Sequence, residues 1–234
     1  MKVLIINCNP KLGFSSANWF YSPFIEGLKQ ENCIVDNYFL YHKKINECKG
    51  CLNCWFDSKA ECVYEDDFMK LVNKQLSSDY IILVSPVYVG SFPSYAYHLF
   101  QRMCSIIIPE YSIYKGHFGH RLRSVHNVKG LGLISWCGFY ELDNFNGMNE
   151  QMKLLSYNYS VDFSFSITRP HINYFLFNQD EKNSFQLKMN KAGREFAKTG
   201  VISADTKTEI EKNLIEKNIY LRRINKYINE KKYE

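Results

Sequence analysis

Tyr80-Ile81-Ile82-Leu83-Val84-Ser85-Pro86-Val87-Tyr88 is the stretch on which the fold turns. Its apolar run has no polar interruption until Ser85-Pro86. A short run of this kind, closed by turn residues, reads as a strand buried on both faces, the habit of parallel sheets. Lys2-Val3-Leu4-Ile5-Ile6 repeats the pattern and ends in Asn7, Asn9 and Pro10. Residues 33–40, 131–136 and 161–168 supply three more strands, the last by alternation. Helical patterns lie between them. Phe20, Phe24 and Leu28 share one face of a helix that starts near Ser15-Ser16 and runs to about Gln30. Pro23 predicts a kink there, or a restart capped by Ser22. Asp66 or Asp67 caps a helix to about Leu76, Pro93 opens one to about Ile107, and residues 144–157 form another. Residues 109–127 read as irregular. The β-α-β-α order predicts an α/β domain: a doubly wound, five-stranded parallel sheet in the order 2-1-3-4-5.

The remaining composition sets the context. A chain of 234 residues, 46% hydrophobic and 16% aromatic, holds a real core. It divides into a domain at residues 1–180 and a helical extension at 181–234. Ile210, Leu214, Leu221, Ile224 and Ile228 fall at helical gaps, with Lys217 in the missing position, and predict one long amphipathic helix from Thr206 onward. No run of about 18 apolar residues suits a membrane span, and the N-terminal run turns polar at Asn7 without the core of a signal peptide. The expectation is a cytoplasmic protein whose eight cysteines are thiols rather than a disulfide framework. Its net charge of +5 is spread along the chain without the basic stripe that nucleic acid requires.

Four cysteines are crowded into one segment. Cys48-Lys49-Gly50-Cys51-Leu52-Asn53-Cys54 is followed, after a gap of seven residues, by Cys62. Thiols two residues apart on a glycine-containing loop can turn inward onto one small object, and a fourth just beyond can close the shell. A [4Fe–4S] cluster and an all-thiolate zinc site both ask for this pattern, and a metal-free packed loop is compatible with it. Val63 follows Cys62 where two-cluster ferredoxins place proline, so a cluster here would be solitary.

Three loops should meet beyond the carboxyl ends of the strands, where open parallel sheets bind ligands. Asn7-Cys8-Asn9-Pro10-Lys11-Leu12-Gly13-Phe14-Ser15-Ser16-Ala17-Asn18 leads from the first strand into a helix N-terminus, which offers backbone N–H groups and short hydroxyls to an anion. It lacks both the dinucleotide glycine pattern and the Gly-Lys-Ser/Thr ending of triphosphate loops, so a monophosphate suits it. The second loop, Ser85 to Pro93, is stiffened by two prolines, with Gly90 for close backbone approach and Tyr88 as an aromatic face for a flat ring such as an isoalloxazine. The third, Trp136-Cys137-Gly138-Phe139-Tyr140, places aromatics around a glycine.

Together these segments resemble the flavodoxin-like NAD(P)H-dependent FMN reductases and, within them, the iron–sulfur flavoproteins. The resemblance spans roughly residues 2–140. It rests on Asn9-Pro10-Lys11 to Ser16, on Cys48 to Cys62 with Trp55 and Asp66-Asp67, on Ser85-Pro86-Val87-Tyr88 and on Leu99-Phe100-Gln101-Arg102. It implies a flavodoxin-like fold with FMN phosphate held by Asn9, Lys11, Ser15, Ser16, Ala17 and Asn18. The flavin ring would lie along Pro86, Val87, Tyr88 and Gly90, with Trp136 and Gly138 in the third loop. NAD(P)H would be the electron donor, and a quinone, nitro compound or flavin the acceptor, in a dimer or tetramer of this chain. Cys48, Cys51, Cys54 and Cys62 would be the ligands of a [4Fe–4S] cluster. The chain departs from the pattern at Asn9, where relatives often carry serine, at Ser15, where they carry asparagine, and at Gln101, where an acidic residue is common.

Other polar residues read plainly. His117, His120 and His126 are solvated loop histidines, Cys8 and Cys137 small buried residues, and Asp66-Asp67 a helix cap. The competing functions are an FMN oxidoreductase, an electron carrier pairing FMN with a cluster, and a zinc-stapled binding module without turnover.

Overall fold

The computed structural model describes residues 1–10, 18–57, 61–123 and 126–231. Strands β1 (Lys2–Asn7), β2 (Ile34–Phe39) and β3 (Tyr80–Pro86) are parallel neighbours, with β1 in the middle. Two further strands, β4 (Ile107–Tyr114) and β5 (His117–Leu122), form an antiparallel hairpin of their own. The main sheet continues with β6 (Gly130–Trp136) and β7 (Asp162–Arg169), giving the order β2-β1-β3-β6-β7. That is the expected doubly wound order, with β6 and β7 as its fourth and fifth members. Every residue of β6 is buried, as a central strand covered on both faces requires.

Eight α-helices lie among the described residues: α1 (Asn18–Gln30), α2 (Asn53–Phe56), α3 (Phe68–Leu76), α4 (Ser94–Arg102), α5 (Asn146–Asn158), α6 (Gln179–Thr199), α7 (Ala204–Glu211) and α8 (Lys217–Lys231). One apolar layer joins the sheet to α3, α4 and α5 through Leu71, Leu99, Met103, Met148 and Met152. The other joins it to α1 and α6 through Phe20, Phe24, Phe185, Met189 and Phe196. No described helix is long and apolar enough to cross a membrane.

Pro23 sits inside α1 without breaking it. A proline cannot donate to the carbonyl four residues back, here that of Trp19. The side chain of Gln186 on α6 supplies that bond, donating from Nε2 to Trp19 O at 3.2 Å. Close packing makes the rescue feasible: a Cβ on Gly27 would lie 2.2 Å from Asn190 O, and one on Gly193 would lie 2.1 Å from Phe24 O.

Three expectations are corrected. The helix after Pro93 ends at Arg102 rather than Ile107 and passes through a 3₁₀ turn, Met103–Ile106, into β4. The stretch expected to be irregular carries the β4–β5 hairpin, turned by Lys115 and Gly116 at φ 50° and 78°. His117 and His120 therefore lie on a strand. The tail is two helices, not one, because the buried Arg169 Nη1 takes the carbonyls of Ile210 and Lys212, both at 2.8 Å, and ends α7 there. Glu216 then opens α8 by accepting from the Asn218 and Ile219 N–H groups at 2.9 and 3.1 Å.

Candidate functional site

The carboxyl edge of the sheet gathers the ends of β1, β3 and β6. Cys8 N–H donates to Val84 O at 2.7 Å, and Val87 N–H to Trp136 O at 3.0 Å, so the three loops are stitched side by side. Asn7 is fully buried. Its Nδ2 donates to Tyr21 Oη at 2.6 Å, its Oδ1 accepts from Asn9 N–H at 2.9 Å, and Tyr21 Oη donates to Asn18 Oδ1 at 2.5 Å. This chain of bonds ties the end of β1 to the first turn of α1. Asn9 and Asn18 are thereby brought to one place, while Lys11, Ser15, Ser16 and Ala17 lie outside the described residues.

In the second loop, Tyr88 and Ser91 exchange backbone hydrogen bonds of 2.8 and 2.9 Å around Val89 and Gly90. Both intervening residues have positive φ, 49° and 72°, and among the described residues nothing lies within 4 Å of a Cβ placed on Gly90. The face beside Gly90 is thus open to a ligand, and the Tyr88 ring is 45% exposed next to it.

In the third loop Trp136 is placed by packing. Its side chain is buried, lying nearly parallel to Tyr21 with ring centroids 6.3 Å apart and 5.2 Å from Phe20. Only its backbone faces the edge. Cys8 and Cys137 are buried thiols, pushed up by that burial to about 12 and about 11. Gly138 is held from the far side, since Tyr220 Oη donates to its carbonyl at 2.6 Å. Tyr140 Oη donates to Ile215 O at 2.8 Å, and Lys217 pairs with Glu141 at 2.5 Å. Between this loop and α8 runs a groove of about 370 Å³ bordered by Phe139, Tyr140, Leu221 and Ile224.

The cysteines meet elsewhere. Cys48, Cys51, Cys54 and Cys62 line a single pocket with Arg102 and a fifth thiol, Cys104. Gly50 takes φ 68° and its N–H donates to Cys48 Sγ at 3.5 Å, while Leu52 takes φ 54° as the chain turns into α2. Cys54 Sγ lies 3.8 Å from Cys104 Sγ. Burial lifts the Cys54 thiol above its ordinary value. The Cys104 hydrogen bond opposes that lift, and Cys62, Cys48 and Cys51 add to it. Trp55 Nε1 donates to Cys104 O at 2.7 Å and Arg123 Nη2 to Cys54 O at 2.8 Å, which fix the loop to the end of α4 and to the hairpin.

Asp66 holds the first turn of α3 by accepting from Phe68 N–H at 3.0 Å, as a cap should. It also forms an ion pair with Arg102 in which both side chains are wholly shielded from solvent. Burial opposes its ionisation, but bonds from Arg102 and from the Asn46 and Phe68 N–H groups outweigh that, leaving the carboxyl below its ordinary range.

The donor set and its surroundings fit a cluster: four thiols on one wall, a backbone N–H on one sulfur and a buried cation alongside. Among the described residues no three Cys, His, Asp or Glu side chains sit close enough to grip one metal ion. A four-iron cluster holds its thiolates further apart than a single ion does. The pocket has about 20 Å³ of free space, so a cluster requires its thiols to stand further apart than they do here. Cys104 escaped the sequence reading because it arrives from the 3₁₀ turn after α4, 42 positions after Cys62, with no local spacing to mark it.

Comparison with known proteins places the chain among relatives of two kinds. An iron–sulfur flavoprotein of Methanosarcina thermophila is 28% identical over 102 residues, 44% of this chain and 52% of the relative. One from Archaeoglobus fulgidus is 34% identical over 88 residues, 38% of this chain and 39% of the relative. The chain thus spans about half, or less, of the length of these relatives. Among solved structures, an NAD(P)H:quinone oxidoreductase from Methanothermobacter marburgensis superposes with a TM-score of 0.60 at 16% identity, over 84% of this chain and 96% of that one. An FMN-dependent NADH-azoreductase from Bacillus anthracis, in complex with FMN, superposes with a TM-score of 0.58 at 15% identity, over 84% and 99%. At such identity these two speak for the flavodoxin-like fold. The family model of NADPH-dependent FMN reductases matches residues 1–117, which hold β1 to β3 and all five thiols of the pocket, and the chain belongs to that family.

Proposed function

We propose that the protein is an FMN-dependent oxidoreductase that passes electrons from NAD(P)H through bound FMN to a small acceptor such as a quinone, a nitro compound or a second flavin. The observation that carries the reading is the stitched carboxyl edge, with an open backbone face at Gly90, in a member of this family. FMN supplies the hydride and electron transfer when bound, and the protein supplies position and electrostatics. Asn9 and Asn18, with Lys11, Ser15, Ser16 and Ala17, would hold the phosphate, and the Asn7–Tyr21–Asn18 chain sets the angle at which α1 meets it. Pro86, Val87, Tyr88 and Gly90 would run along the ring, joined by the backbone of Trp136 and Gly138. The apolar groove beside Phe139 and Tyr140 is a wall against which a small aromatic acceptor fits. A dimer or tetramer remains part of the proposal.

A second reading has its own observation. The four cysteines share one pocket, which supports a resident [4Fe–4S] cluster and one-electron exchange alongside the flavin. The visible spectrum of protein purified without oxygen tests both. Flavin gives two resolved bands, and a cluster adds a broad shoulder between and beyond them. A colourless protein with stoichiometric zinc would overturn both readings.

A further inference from the structure

We propose that Arg102 is the hydrogen-bond donor that sets the reduction potential of a cluster held by Cys48, Cys51, Cys54 and Cys62, a role that rests on the cluster reading above. Arg102 is 0% exposed and lines the cysteine pocket from the last position of α4. Its guanidinium lies against the faces of Phe68 and Tyr64, with Cζ 4.4 and 5.3 Å from the ring centroids. Nη1 is committed to Asp66 and to Asn46 O. Nε and Nη2 are buried and, among the described residues, have no partner. Unsatisfied buried donors on a charged group are rare enough to require an explanation.

Asp66 already balances the charge, so a free anion has little to gain from the pair as a whole. Arg102 brings two spare N–H groups to the pocket that the thiols line. Besides the thiols, the wall is made of Leu52, Val63, Tyr64, Ser105 and Lys49, whose ammonium is drawn to the Tyr64 ring, 5.3 Å from its centroid. A cluster with four thiolates is an anion whose sulfurs accept hydrogen bonds, and each electron it gains adds one negative charge. Donors fixed beside it favour the reduced form and raise the potential. Arg102 is fixed by its ion pair, by two aromatic faces and by its place on a helix, so the donors are preorganised. Cys104 shares the wall but offers one weak S–H donor, already engaged with Cys54.

The test is a redox titration of the cluster followed by electron paramagnetic resonance, together with iron and flavin counts. Arg102→Lys keeps the charge and a bond to Asp66 but removes the spare fork donors. Iron should stay near the parent count of about four per chain. The potential should fall by at least about 59 mV, a tenfold shift in the one-electron equilibrium. An unchanged potential with iron retained overturns the proposal. Should Arg102→Lys fold poorly, the paired neutral exchange Asp66→Asn with Arg102→Gln carries the same expectation. Loss of iron in both would assign Arg102 to building the pocket and overturn the tuning role. Cys104→Ala should move the potential less than Arg102→Lys, and an equal shift would assign the effect to general pocket polarity instead. An iron-free parent protein would refute the cluster reading itself, a result distinct from the failures above.

Discussion

The carboxyl edge and the cysteine pocket lie at opposite ends of α4, whose nine residues span about 13 Å, and they are built by different rules. The edge is made of backbone: strand ends hydrogen-bonded to one another, a loop with two positive-φ residues, and side chains such as Trp136 turned away into the core. The pocket is made of side chains from three separate segments, around Cys48–Cys54, Cys62–Tyr64 and Arg102–Ser105. A site of the first kind tolerates many side chains and is spoiled by bulk or charge at the wrong place. A site of the second kind depends on the identity of each member. The family resemblance covers both, but the physics makes them separable.

The sharpest way to break this contrast is to empty each site alone. Ser16→Asp, in the loop expected to hold the phosphate, should yield largely flavin-free protein that retains its iron. Cys54→Ser should do the reverse, losing iron and acid-labile sulfide while flavin stays. Co-loss of both groups in either variant, measured by absorbance and iron assay, would show that the two ends are one unit. Next in size is Asp66→Ala. It leaves the guanidinium of Arg102 shielded and unpaired, so the protein should lose about 3–5 kcal/mol in a urea titration. The same substitution should lower iron content before it lowers flavin.

A matched pair sharpens the comparison further. Gly50 and Gly90 both have positive φ, 68° and 72°, and open space where a Cβ would go. Gly50→Ala and Gly90→Ala should each cost about 1–2 kcal/mol from backbone strain alone. Their cofactor losses should diverge: iron for Gly50→Ala, flavin affinity for Gly90→Ala. The smallest effect is with pH. The Asp66 carboxyl is held below its ordinary range in the folded protein, so its contribution is present above the unfolded value of about 3.9. That contribution is lost as pH falls through the folded pKa. Melting temperature should fall on the acid side, and Asp66→Asn should show a shallower fall there with little change in slope near neutrality.

The sheet was legible because β1 and β3 are unbroken apolar runs and β7 alternates, and short connections leave few topologies to consider. The hairpin was missed although Lys115-Gly116 is a two-residue turn signal between alternating segments, a pattern hidden by the charged and polar residues around it. The division of the tail was not legible from periodicity, since its cause is Arg169, some 40 residues upstream and visible as a cap only once β7 is in place. The four spaced cysteines announced themselves. Cys104 and the free donors of Arg102 did not, because only the course of α4 carries them to the same wall. Which part of Trp136 meets the edge was not legible either, since its side chain turns to the α1 face once the helix is packed.

The bonds from Tyr220 to Gly138 and from Tyr140 to Ile215 join residues 82 and 75 positions apart. On the ribosome, the strands of the sheet are complete once β7 has emerged, but the third loop still lacks the hydroxyl that holds it. At about 5–20 residues per second, residues 215–220 follow that loop by roughly 4–16 seconds of synthesis. The edge is therefore finished after the sheet, once α8 has been made, and a nascent polypeptide stalled before α8 should hold its flavin more weakly than one that includes it.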